Sequence, residues 1–206
     1  GVDGGDSRMG FALLLFTGLI MHGILADVLN RSPGLIIQNV NYVTKVVFPL
    51  EIFTVVATLS SLFHALINLV VLLAALLVFE QTFHWTIVFV PLTVLPFIFV
   101  VMGLSWLISG LGVYLRDLGQ AVSVLTMVMM FIAPIFYPLE AVPESFHKYI
   151  LVNPLTFIIQ QMHKIVVFGE IPNWWGLGIY WVISLLVFYL GYMSFQKTRG
   201  GFADVL

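Results

Sequence analysis

Cysteine is absent from all 206 residues. Disulfides, thiolate nucleophiles and cysteine-type metal sites are therefore excluded. Charge is scarce as well: Asp, Glu, Lys and Arg make up 9% of the chain, where soluble domains carry about 25%. The formal net charge of -2 is too small to suggest nucleic-acid binding. No basic region precedes the first apolar run, so that run is not a secretory signal. The chain has no G-x-x-x-x-G-K-[ST], which excludes ATP binding in the P-loop manner. Neither H-E-x-x-H nor G-x-S-x-G occurs. The five histidines (22, 64, 84, 147 and 163) are scattered, and no catalytic set or metal set emerges. Only Asp27 and Glu51 lie near the ends of the runs long enough to span a membrane, and no charge lies in the middle of one. Ion-driven carriers place ionisable groups at membrane depth, so a proton or sodium pump is disfavoured.

What remains is hydrophobic: 61% of the residues are apolar and the mean hydropathy is +1.08. A helix crossing a bilayer needs roughly 20 mostly apolar residues. The expected fold class is an all-α integral membrane protein with about five transmembrane helices. They are expected near Gly10 to Leu29, Ile52 to Phe79, Trp85 to Val113, Leu118 to Tyr137 and Trp174 to Phe195. Leu35 to Phe48 is too short and too polar to cross. Its Gln38, Asn39, Asn41 and Lys45 alternate with apolar residues, which fits a short helix at the membrane surface.

Phe131 to Phe168 is the unusual stretch. Pro134 and Pro138 interrupt an apolar run, and Asn153-Pro154 opens a second one containing Gln160, Gln161, His163 and Lys164. Proline cannot donate a backbone hydrogen bond, so the first run must bend or end. Irregular backbone at membrane depth survives only inside protein or beside water. The pattern predicts a re-entrant pair of short helices next to a pathway.

Basic residues orient the chain. Arg31, Lys45, Arg116, Lys197 and Arg199 gather on one side. Arg8, Lys148 and Lys164 lie on the other, diluted by six acids. Lys and Arg favour the cytoplasm, so the start is expected outside and the tail inside. That orientation implies one further span upstream, six in the intact protein.

Ser61, His64 and Asn68 share one face of the second span. They read either as a polar stripe facing a pathway or as interhelical hydrogen bonding worth roughly 0.6 kcal/mol each. Arg116-Asp117 reads as an ion pair or as a contact with a cytoplasmic partner. Phe131, Phe136 and Tyr137 read as interfacial aromatics, or as a surface on which sugar rings stack by their apolar faces. A membrane-embedded transferase would need catalytic polar groups clustered at one membrane face, and none is found.

The order of KVVFPLEI, Y-L-R-D-L, A-P-I-F-Y-P, L-E-A-V-P and N-P-L-T resembles the permease subunit of type-2 ABC exporters for polysaccharides. This is the Wzm-like group, which exports O-antigen, teichoic acid and capsule. The resemblance covers nearly the whole chain as a single transmembrane domain, 1–206. It implies that an N-terminal interface helix and a first span are missing here. It also implies a homodimer in the bacterial inner membrane, with ATP and Mg bound by separate ATPase subunits and no cofactor on this chain. Leu35 to Phe48 would hold the coupling helix, with Asn39, Asn41, Lys45, Arg116 and Asp117 facing the ATPase. Phe131, Phe136, Tyr137, His64 and Asn68 would border the path of a polyprenyl-linked glycan. O-antigen is the first expectation, with teichoic acid, capsule, a lipid or a drug as alternatives.

Overall fold

Long apolar runs cannot leave backbone polar groups unpaired in lipid, so they fold as helices. The computed structural model describes residues 8–44, 48–81, 83–137, 142–143, 150 and 152–205. Every regular element among them is helical. α1 (Arg8–Arg31) is followed by two 3-10 turns, Ser32–Gly34 and Ile37–Asn39, and by the short α2 (Val40–Thr44). α3 (Ile52–Ala75) runs on through a π turn, Leu76–Glu80. A 3-10 turn, Trp85–Phe89, leads into α4 (Val90–Gly112), and α5 is Leu118–Ile132. α6 (Pro154–Met162) passes into a π turn, His163–Phe168. α7 (Trp174–Arg199) and α8 (Phe202–Val205) follow.

Four stretches among the described residues are long and apolar enough to cross a membrane: Arg8–Gly34, Ile52–Phe79, Trp85–Gly112 and Trp174–Arg199. The fourth expected span, Leu118 to Tyr137, is a helix of only 15 residues. It stops because Ala133 precedes Pro134. A residue before proline is driven out of helical backbone, and Ala133 has φ -68° and ψ 145°. The freed carbonyls at this end are covered by side chains from outside the helix. Tyr137 Oη donates to Ile132 O at 2.7 Å and to Phe131 O at 3.2 Å. Asn153 Nδ2 donates to Met129 O at 2.8 Å.

Among its described residues, the segment Leu35 to Phe48 is not one α-helix. It breaks into the 3-10 turn and α2. Part of the reason is Asn39, whose Nδ2 donates to Leu35 O at 2.8 Å. Asn side chains that bond nearby backbone compete with regular helix.

The second limb of the expected hairpin is α6 with its π turn. Much of the first limb, 138–141 and 144–149, lies outside the described residues. α6 packs against α1 and α4, and the limb sinks Leu155, Ile158, Ile159 and Met162 of α6 and Ile165 and Val166 of the π turn into the core. Several polar residues of this limb are bonded. Gln161 Oε1 accepts from Asn173 N at 2.8 Å, and His163 Nε2 lies 2.9 Å from Leu14 O. Asn153 Oδ1 accepts from Leu155 N and opens the helix. The limb turns back at Gly169, whose φ is 68°. Any side chain there would also strike the His84 ring.

α1 is the hub, touching α3, α4, α5 and α6. α4 and α7 form the most extensive pair. A Cβ on Gly191 would fall on the Gly103 carbonyl, and one on Gly103 would lie 2.5 Å from Val187 O. The two backbones touch, as small residues allow in membrane bundles.

The bundle has two distinct ends. At one, Ser32 Oγ is 2.7 Å from Ser105 Oγ, Tyr114 Oη donates to Thr198 O, and Arg199 meets Glu51. At the other, Thr86 Oγ1 donates to Ile165 O and Phe89 meets Trp174 edge to face. The residues placed at the first end include Arg31, Arg116, Lys197 and Arg199, the ones that the charge pattern puts together.

Candidate functional site

The seam between α1 and α3 has two faces. One holds a groove of about 230 Å³ lined by Asp27, Arg31, Ser61, His64 and Asn68, over Gly23. The other is a cleft of about 190 Å³ between α3 and α4, lined by apolar side chains such as Leu66, Leu69, Val90 and Met162. Helical spacing produces the split. Ser61, His64 and Asn68 repeat at i, i+3 and i+7 and turn toward α1. Asp27 and Arg31 are four residues apart, and Asp27 Oδ1 takes Arg31 Nη2 at 2.7 Å. The groove thus offers donors and acceptors of several kinds with a paired charge at its end.

His64 and Asn68 are exposed within the subunit, while Ser61 is buried. His64 lies twelve residues beyond Ile52, about 18 Å along the helix at 1.5 Å per residue. That is near the middle of a hydrocarbon layer about 30 Å thick. An unpaired amide or imidazole facing lipid there would cost roughly 2–7 kcal/mol. The opposite flank of α1 is polar as well. His22 Nε2 is 3.1 Å from Thr126 O of α5, and Thr126 Oγ1 donates to Asn30 Oδ1 at 3.4 Å. Residue-type reasoning singled out His64 and Asn68 but missed Asp27, Arg31, Asn30 and Thr126. The i, i+4 acid–base spacing of Asp27 and Arg31 was the available signal.

Phe131 and Phe136 sit where α5 ends. Their rings stack with centroids 5.9 Å apart and planes 30° apart. Phe131 is 58% exposed and Phe136 37%, so an aromatic ledge stands free of the subunit core. Tyr137 is half-buried and its hydroxyl caps α5. The structure therefore gives Tyr137 a structural task beside any contact with a passing ligand.

The segment after α1 presents another surface. Ile37, Gln38, Asn41 and Tyr42 are exposed, at helical spacing, while Ile36 is buried beneath them. Asn41 belongs to this face. Asn39 is half-buried on its own backbone, and Lys45 lies outside the described residues. Arg116 and Asp117 are both exposed, and the ion pairs among the described residues do not join them. Asp117 stands just before α5, where an acid suits the positive end of the helix dipole.

A family model described as ABC-2 type transporter matches residues 3–167. The chain is 26% identical over 200 residues to the O-antigen export system permease protein RfbA of Klebsiella pneumoniae, covering 95% of this chain and 76% of that one. It is 21% identical over 196 residues to a protein of the same name from Myxococcus xanthus, covering 94% and 75%. It is 24% identical over 192 residues to the polysialic acid transport protein KpsM of Escherichia coli, covering 92% and 73%. A multi-pass helical bundle, a polar groove between its helices and a match over most of the length agree: this chain belongs to the ABC-2 type transporter family.

Proposed function

We propose that the chain is the channel-forming permease subunit of an ATP-driven exporter that moves lipid-linked polysaccharide, O-antigen first, across the bacterial inner membrane. The observation that carries this reading is the groove. Exposed His64 and Asn68 at mid-bilayer depth need protein or water beside them, not lipid. A path for a hydroxyl-rich chain between two copies of the subunit meets that need. The relatives' names supply the cargo class. ATP and Mg belong to a separate ATP-binding subunit, docked against the Ile37, Gln38, Asn41 and Tyr42 face together with Lys45, Arg116 and Asp117.

Deleting the gene in its host is expected to abolish the surface polysaccharide and leave lipid-linked glycan inside the cell. A plasmid copy restores export. Unchanged surface glycan in the deletion strain overturns the proposal. The KpsM relative favours a second reading, capsule export. The identity of the lost glycan, lipopolysaccharide-bound or capsular, separates the two.

The proposed orientation puts Arg116 in the cytoplasm and Ile171 outside. The chain has no native cysteine, so single cysteines report cleanly. An impermeant thiol reagent should label Ile171→Cys on intact cells and leave Arg116→Cys untouched until the cells are opened. Labelling of position 116 from outside overturns the orientation.

A further inference from the structure

We propose that Arg199 is a positioning residue that latches the segment after α1 to the α4–α7 pair, so that a push on that segment moves those two helices as one body. The proposal rests on the reading that the segment 35–48 faces an ATP-binding subunit. It adds the route by which that subunit's motion enters the membrane.

The segment is fastened at both ends. At its start, Ser32 Oγ is 2.7 Å from Ser105 Oγ of α4, and Ser105 Oγ donates to Thr54 Oγ1 of α3 at 3.4 Å. Pro33 lies so close to Gly112 of α4 that a Cβ there would be 2.5 Å from Pro33 O. At its end, Arg199 of α7 reaches back with both arms of its guanidinium. Nη1 donates to Glu51 Oε2 at 3.2 Å, and Nη2 donates to Phe48 O at 3.1 Å. A planar fork of this kind fixes geometry as well as charge. Trp106 Nε1 of α4 donates to Glu51 O at 3.1 Å, which holds the same turn from the other side. The exposed face connects to this latch through a cluster of tilted and edge-on ring contacts. Tyr42 meets Phe48 at 5.1 Å and Phe53 at 5.7 Å, centroid to centroid, and Phe48 meets Phe53 at 5.4 Å.

Beyond the latch, the packing is continuous. Ile36 and Leu50 enter one buried cluster with Trp106, Val113, Phe195 and Phe202. α4 and α7 then run backbone to backbone at Gly103 and Gly191. A displacement of Tyr42 and Phe48 reaches α7 through these described contacts. Arg199 and Glu51 are partly exposed, 34% and 22% by side chain. Exposed pairs contribute little to stability, so the pair is free to serve position more than folding.

The test uses the exporter complex, permease with its ATP-binding subunit, purified and reconstituted. Glycan exported per ATP hydrolysed is measured for wild type, Arg199→Gln, Glu51→Gln, the double variant and Arg199→Lys. Arg199→Gln is expected to lower export per ATP about tenfold while the ATP-binding subunit stays bound and hydrolyses ATP. The double variant should fall less than twofold further, because both changes break one link. Arg199→Lys keeps the charge but not the fork, and should lie between wild type and Arg199→Gln. Normal export per ATP in Arg199→Gln overturns the proposal. So do additive losses in the double variant, or release of the ATP-binding subunit, which would make Arg199 a docking residue. If wild type itself copurifies with no ATP-binding subunit, the underlying reading fails before any variant is compared.

Discussion

Gly191→Leu is expected to leave little folded protein in the membrane. The Gly191 and Gly103 backbones are in direct contact, and a Cβ at 191 would overlap the Gly103 carbonyl. No flexible side chain tip stands there to swing aside. Overpacking a well-fitted interior costs about 1–3 kcal/mol, occasionally more. Here α4 and α7 must separate along their shared length, which removes contacts well beyond the substituted residue. In lipid that loss has no hydrophobic compensation, since the tails are as apolar as leucine. The check is the yield of monodisperse protein in detergent and its thermal midpoint. Gly178→Leu on the same helix is the control, because nothing lies within 4 Å of a Cβ there. Equal yields for the two variants would mean that the α4–α7 contact is not what holds the pair.

Removing the aromatic ledge, Phe131→Ala with Phe136→Ala, is expected to cut glycan export about tenfold. Aromatic contacts of this kind are worth about 0.5–1.5 kcal/mol each beyond burial, and about 1.4 kcal/mol corresponds to tenfold. Both rings are exposed, so the subunit loses little packing. Tyr137 must be treated separately, because Tyr137→Ala would remove a ring and a helix cap at once. Tyr137→Phe keeps the ring and frees the Ile132 and Phe131 carbonyls. It should lower thermal stability by about 1 kcal/mol while export changes much less than in the double alanine variant. Normal export without Phe131 and Phe136 would leave the ledge as packing for a neighbouring subunit.

The helices were legible in the sequence because lipid permits few alternatives. Hydropathy alone locates α1, α3, α4 and α7 to within a few residues, and Pro134 marks the end of α5. The polar residues of α6 signalled a protected location, and Gln161 and His163 do find backbone partners. Links across the chain were not legible. Arg199 read as a basic anchor in the tail, and nothing local points to Glu51, which is 148 positions away. The meeting of Gly103 with Gly191 follows from the crossing geometry of two helices, which no local pattern announces. Asn39 looked like surface and is instead bonded to its own turn. Such choices depend on which backbone groups a neighbouring segment leaves unsatisfied.

The shortness of α5 has a consequence for the lipid around it. Fifteen residues rise about 22 Å, roughly 8 Å less than the hydrocarbon depth of an ordinary bilayer. A span too short for its membrane is accommodated by local thinning or by other protein filling the gap. The Tyr137 and Asn153 caps fix where α5 ends, so it cannot gain length by adding turns. The shortfall falls at the aromatic ledge of Phe131 and Phe136, where either a thinner leaflet or neighbouring protein must make up the missing depth.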